Sequence, residues 1–195
     1  LEILRQHPDA WVLGLDFTPP MLDLARQKAT YALRADPGSE APGSRLRGRD
    51  ARPPAWLAGD ALQLPFADAI FDGIVTGFAL RNVTDIPGAF AEMARVTRPG
   101  GRLACLEIAR PRLPFVRHLF AWYFYHLVPL LGGWISGQRS AYTYLPHSLT
   151  SFLTPDEIAA EMVRAGWHEV RYRRLGLGAV AVHTGVCRGD AGRRA

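Results

Sequence analysis

A doubly wound α/β sheet is what this sequence predicts, and three features predict it. Short apolar runs alternate with segments whose apolar residues recur at spacings of three and four. The early runs end in polar residues, at Asp16, Asp60 and Arg81. A last pair of strand-like runs brackets Gly176 and Gly178, as an antiparallel turn would. At 195 residues and 48% hydrophobic, the chain holds one such domain, 1–187, followed by a polar tail, 188–195.

Leu1, Ile3 and Leu4 mark the end of a helix before the turn His7-Pro8-Asp9. Trp11 to Leu15 is a buried strand ending at Asp16. Thr18 then caps a helix with Pro19 in its first turn, and Met21, Leu22, Ala25 and Ala29 form its apolar face. Residues 34–54 are rich in Pro, Gly and Arg, with almost no large apolar side chains. They read as a flexible insertion, because little apolar area is available to offset ordering entropy. Trp56 to Ala58 resumes as a strand, Gly59-Asp60-Ala61 turns out of it, and Leu64-Pro65-Phe66 leads into the next.

The stretch Gly73 to Asp85 is the centre of the pattern. Phe71, Ile74 and Val75 make a buried parallel strand that ends in a polar elbow, Arg81-Asn82. Ligands of open α/β sheets sit beyond the carboxyl ends of strands, so this elbow is a candidate site. Asp85 or Thr84 caps a helix carrying Ile86, Ala89, Phe90, Met93 and Ala94, which stops at Pro99-Gly100-Gly101. Arg102 to Ile108 follows as a strand, with Glu107 expected at the same sheet edge as Asp16, Asp60 and Arg81.

Residues 113–150 are rich in aromatic side chains, and Pro129 and Gly132-Gly133 interrupt them. A lid over an apolar substrate, in peripheral contact with a membrane, fits better than a span. Thr154-Pro155-Asp156-Glu157 is a capping box for a helix carrying Ile158, Ala159, Met162 and Val163, closed by Gly166. Glu169 to Leu175 and Ala179 to Val186 are the closing strands.

The net charge is +5, yet Lys28 is the only lysine, a skew of composition rather than a nucleic-acid surface. Neither aromatic–basic interleaving nor a helix-turn-helix pattern accompanies it, so no nucleic-acid partner is expected. Cys105 and Cys187 lack partners at ligand spacing and read as small core residues of a cytoplasmic protein, with no metal. Asp16 is placed to accept both ribose hydroxyls of an adenosine cofactor, although an ordinary helix cap is the plainer alternative. Asp60 could take the adenine amino group while the Ala61 N–H meets a ring nitrogen, with Leu62 and Phe66 over the ring.

From Val12 to about Gly185 the chain resembles the ubiquinone/menaquinone biosynthesis C-methyltransferases, class I S-adenosylmethionine-dependent enzymes. Gly14-Leu-Asp-Phe-Thr with Met21-Leu22, Gly59-Asp-Ala with Leu64-Pro-Phe, and Arg98-Pro-Gly-Gly-Arg102 are shared with many methyltransferases. Phe78-Ala-Leu-Arg-Asn-Val-Thr-Asp85 and Tyr142-Thr-Tyr-Leu, with Ser148 and Phe152, are specific to the family.

The resemblance implies sheet order 3-2-1-4-5-7-6 and cofactor contacts at Asp16, Asp60 and Ala61. At the position of Gly77 the family offers a hydroxyl side chain, so here only backbone contact is expected. The central strand and its glycine-rich turn would precede Leu1, and the expectation is a piece of a longer protein that folds and binds cofactor poorly alone. The implied reaction is C-methylation of a prenylated quinol. Arg81 and Asn82 are candidates to hold the developing phenolate, and Tyr142 and Tyr144 to line the quinone pocket. An ion pair with Asp85 is the alternative for Arg81, and plain packing for the tyrosines. His118 and His126 read as interfacial or core histidines. Methylation of another lipid or small molecule, or a non-catalytic fragment, are the alternative functions.

Overall fold

The computed structural model describes residues 2–7, 9–34, 53–111, 115 and 152–188. Tyr142 and Tyr144, the rest of 113–150 apart from Phe115, nearly all of 34–54 and the tail from 189 lie outside the described residues. The chain forms two compact units, Leu1–Pro65 and Phe66–Ala195.

The first unit contains α1 (Glu2–Gln6), β1 (Leu13–Asp16), α2 (Pro19–Arg34) and β2 (Ala55–Ala58). β1 and β2 pair in parallel, with Leu13 opposite Ala55 and Asp16 opposite Ala58. Strand pairing begins later than the apolar run from Trp11, although the Val12 carbonyl still accepts from the Ala55 N–H at 2.9 Å. Leu4 and Ala32 form a small core with Ala10 and Val12. Leu22 and Ala29 are also buried, but Met21 is 53% exposed. The buried stripe of α2 runs through 22, 29 and 32, and one residue back along a helix is about a quarter turn off it.

The second unit contains β3 (Phe71–Gly77), a 3-10 turn (Leu80–Asn82), α3 (Ile86–Val96), β4 (Thr97–Ile108), α4 (Pro155–Arg164), β5 (Trp167–Leu175) and β6 (Val180–Cys187). Its sheet has the order β3-β4-β6-β5, parallel between β3 and β4 and antiparallel thereafter. The pairs β2-β1 and β3-β4-β6-β5 match the expected 3-2 and 4-5-7-6 stretches. The two sheets share no strand among the described residues.

Phe90 and Met93 of α3 and Ile158 and Met162 of α4 are buried, and the Trp167 indole, itself buried, donates to the Phe90 carbonyl at 3.1 Å. Val163, expected on the inner face of α4, is 57% exposed, since 158 and 162 alone fix that face. The capping box is present: the Thr154 hydroxyl accepts from the Glu157 N–H, and the Glu157 carboxylate accepts from the Thr154 N–H at 2.6 Å. The Thr154 backbone N–H first, and then its hydroxyl, hold the Glu157 carboxyl below its usual range. Cys105 and Cys187 are free and buried, and burial pushes the Cys105 thiol up to about 12. No group of side chains among the described residues could hold a metal ion, and no described helix is long and apolar enough to cross a membrane.

Two strand expectations need correction. β3 is not buried on both faces: Val75 is 70% exposed, because β3 is the edge of its sheet and Val75 points away from the face that holds Leu103 and Cys105. β4 begins at Thr97 rather than Arg102, since Phe71 already pairs with Thr97 before an irregularity brings Gly73 opposite Arg102. Gly101 sits inside this irregularity. A Cβ there would lie 2.9 Å from the carbonyl oxygens of both Arg98 and Asp72, and backbone cannot move aside as a side chain can. Gly101→Ala is therefore expected to cost about 1–3 kcal/mol, the range for overpacking. Thermal unfolding should show it as a fall of roughly 2–4 °C per kcal/mol; an unchanged midpoint would show that the irregularity is soft.

Candidate active site

Each unit carries part of the candidate machinery at the carboxyl ends of its parallel strands. In the first unit the ladder continues past the strands, with the Gly59 N–H donating to the Asp16 carbonyl at 3.1 Å. This bond seats the Gly59-Asp60-Ala61 turn beside Asp16. One carboxylate oxygen of Asp16 accepts from the Thr18 N–H at 2.7 Å. Among the described residues the side-chain acceptor at the entry to α2 is thus the Asp16 carboxylate rather than the Thr18 hydroxyl. The other Asp16 oxygen has no hydrogen bond among the described residues.

Asp60 is built the same way. Its Oδ1 accepts from the Leu62 N–H at 2.9 Å, and its carbonyl accepts from the Gln63 N–H at 3.2 Å. The Ala61 N–H donates to nothing among the described residues. The unit therefore presents two carboxylates, each with an oxygen left over, and one backbone donor at adjacent strand ends. That donor set fits a nucleoside, whose hydroxyls and amino group donate while its ring nitrogens accept.

In the second unit β3 ends at Gly77. A Cβ on Gly77 would meet only the Leu106 Cβ, at 4.0 Å, so crowding does not demand glycine. The bare residue leaves the strand end open. Phe78 follows with φ at +56°, a left-handed backbone for a bulky residue, and its N–H donates to the Leu106 carbonyl at 2.9 Å. Such an outlier costs on the order of 1–3 kcal/mol and is held only where the surroundings over-determine it. Here it reverses the chain at once into the turn Leu80–Asn82.

The turn is closed by the Asn82 N–H on the Ala79 carbonyl and the Val83 N–H on the Leu80 carbonyl, at 2.9 and 3.0 Å. Leu80 is buried beneath it, while Asn82 is exposed and Arg81 half-buried. The Arg81 guanidinium lies over the Phe78 ring, 5.9 Å from its centroid. Stacking of this kind holds a cation in place without neutralising it. The alternative partner, Asp85, is occupied elsewhere: its carboxylate accepts from the Gly88 N–H at 3.0 Å and caps α3.

Sequence reasoning missed the group beneath the elbow. Glu107 does not face outward at the sheet edge but is wholly buried, and its Oε1 accepts from the Leu80 N–H at 2.8 Å. Its Oε2 has no hydrogen-bond partner among the described residues. Burial raises its pKa, opposed by the Leu80 N–H and the Arg81 charge. The one signal in the sequence was a lone acid inside the otherwise apolar run Leu103 to Ile108. A small, mostly apolar pocket lies at the carboxyl end of β4, lined in part by Ile108, Ala109, Phe152, Leu153 and Pro155.

Residues 4–187 match the ubiE/COQ5 methyltransferase family. A demethylmenaquinone methyltransferase of Roseiflexus sp. is 46% identical over 189 residues, 97% of this chain and 71% of the relative. The Paracoccus denitrificans ubiquinone/menaquinone biosynthesis C-methyltransferase UbiE is 37% identical, over 94% of this chain and 67% of the relative. Among solved structures, a SAM-dependent methyltransferase from Methanosarcina mazei superposes with a TM-score of 0.60 at 20% identity, covering 95% of this chain and 84% of that one. A SAM-dependent methyltransferase from Aquifex aeolicus gives 0.60 at 14% identity, covering 95% and 74%. The matched span takes in both the Asp16–Asp60 strand ends and the Arg81 elbow, and the chain belongs to the ubiE/COQ5 methyltransferase family of S-adenosylmethionine-dependent enzymes.

Proposed function

We propose that the chain methylates a ring carbon of a demethylated prenyl quinol, with demethylmenaquinol as the first acceptor to test. The observation that carries this reading is the elbow. It presents one guanidinium stacked on Phe78 at a strand end, with no ion pair among the described residues, in a chain 46% identical to a demethylmenaquinone methyltransferase. When bound, S-adenosylmethionine supplies an electrophilic methyl group on a sulfonium. Asp16 is assigned the ribose hydroxyls, Asp60 and Ala61 the adenine edge, and Gly77 a backbone contact to the same cofactor.

Arg81 and Asn82 act on the acceptor. A quinol carbon becomes nucleophilic as its neighbouring phenol loses a proton, and a cation with an amide beside it favours the charged oxygen. Methyl transfer needs alignment and exclusion of water more than covalent help. Tyr142 and Tyr144 are assigned to the quinone ring and residues 113–150 to the prenyl tail. Arg110 and Phe152, which flank that stretch in the sequence, both line the small apolar pocket at the carboxyl end of β4. A prenylated acceptor also implies peripheral contact with a membrane.

The test is expression of the gene in a strain that accumulates demethylmenaquinone, followed by analysis of extracted quinones. Menaquinone should reappear and carry label from methyl-labelled methionine. Label entering a phospholipid or another acceptor, with the quinones unchanged, would overturn the substrate while keeping the family.

A further inference from the structure

Glu107 is hard to account for as a contributor to stability. It is wholly buried, one of its oxygens is unpartnered among the described residues, and burial opposes its ionisation. An apolar residue of similar volume in such a place is commonly neutral or stabilising. What the carboxyl does reach is the first residue of the elbow, at the Leu80 N–H. The turn's own bonds satisfy the N–H groups of Asn82 and Val83 but not that of Leu80. Glu107 sits next to Leu106, which faces Gly77 across the ladder and accepts from Phe78. Two adjacent residues of β4 thus hold the elbow at both ends of its reversal: Leu106 by its carbonyl before it, Glu107 by its side chain within it.

We propose that Glu107 is a positioning residue for methyl transfer: its hydrogen bond to the Leu80 N–H fixes the Leu80–Asn82 turn on β4 and thereby sets Arg81 and Asn82 against the acceptor oxygen. This rests on the role given to Arg81 above. The carboxyl has no exposed surface, and it acts through the backbone of Leu80.

The test compares Glu107→Gln, Glu107→Leu, Arg81→Ala and the double variant Glu107→Leu/Arg81→Ala in the enzyme used for the quinone assay. The readouts are quinol turnover, S-adenosylmethionine affinity and melting temperature. Glu107→Gln keeps an oxygen for the Leu80 N–H and should stay within about threefold of the parent. Glu107→Leu fills the same space without an acceptor. It should lower kcat about thirtyfold, in the range that misplacement of a positioned group costs, with cofactor affinity unchanged and no loss of melting temperature. On the Arg81→Ala background Glu107→Leu should add less than about threefold, since coupled residues are not additive.

Independent, multiplicative losses in the double variant would overturn the proposal, as would loss of turnover only in step with loss of folded protein. If Glu107→Leu does not fold, Glu107→Gln decides: turnover near that of the parent upholds the hydrogen-bond route, and a folded Gln variant as slow as Arg81→Ala sinks it. Arg81→Ala with unchanged turnover is a different failure, since it removes the role of Arg81 and this proposal with it.

Discussion

Asp16→Asn should weaken S-adenosylmethionine binding about a hundredfold while leaving the melting temperature within a degree or two. The substitution separates the two duties of this residue. Its Oδ1 accepts the Thr18 N–H at 2.7 Å, and an asparagine carbonyl can do the same, so the entry to α2 survives. The proposed grip on two ribose hydroxyls does not survive, because charge-assisted hydrogen bonds are worth about 1.5–3 kcal/mol each and the amide nitrogen cannot accept. A loss near 3 kcal/mol corresponds to roughly a hundredfold in affinity. Titration calorimetry measures it directly. Affinity within threefold of the parent would leave Asp16 as a helix cap and nothing more. Asp60→Asn is the natural companion, with a smaller loss expected, since a single adenine amino group is at stake.

The same residue shows how much was legible beforehand. Asp16 and Asp60 announce themselves because each closes a short apolar run and opens a turn, a pattern written in adjacent residues. The capping box of α4 and the inner face of α3 are local in the same sense. Ala89, Phe90, Met93 and Ala94 are buried as their spacing implies. The sheet order could be named only through the family resemblance, as no local pattern encodes which parallel strands are neighbours.

What escaped local reading depends on partners distant in sequence. The start of β4 at Thr97 is created by pairing with Phe71, so Pro99-Gly100-Gly101 looked like a terminator but forms part of an irregular ladder. Val75 looked buried because its run is apolar, yet burial of a strand face depends on what covers it. Glu107 is the sharpest case: a charged residue near a strand end is ordinarily read as facing water, and only the buried elbow turns it inward.

Arg81→Ala should lower quinol turnover by about a hundredfold to a thousandfold, the range seen when one preorganised donor to a developing oxyanion is removed. Cofactor affinity should stay within about twofold, because that contact is assigned to Asp16, Asp60 and Ala61. The larger effect sits here because the charge at stake appears only as the phenol ionises, and interactions made only on the way to the transition state act on kcat rather than on binding. Arg81→Lys should recover a minor part, since an ammonium keeps the charge but not the planar fork, nor the stacking now seen over Phe78. The pH dependence tells stabilisation from mere binding. If Arg81 favours the phenolate, the deficit of Arg81→Ala must shrink as pH rises toward the ordinary phenol range near about 10, where ionisation needs no assistance. A deficit that stays constant with pH and resides in KM would make Arg81 a binding residue for the uncharged quinol, and the proton would have to be drawn off by another group.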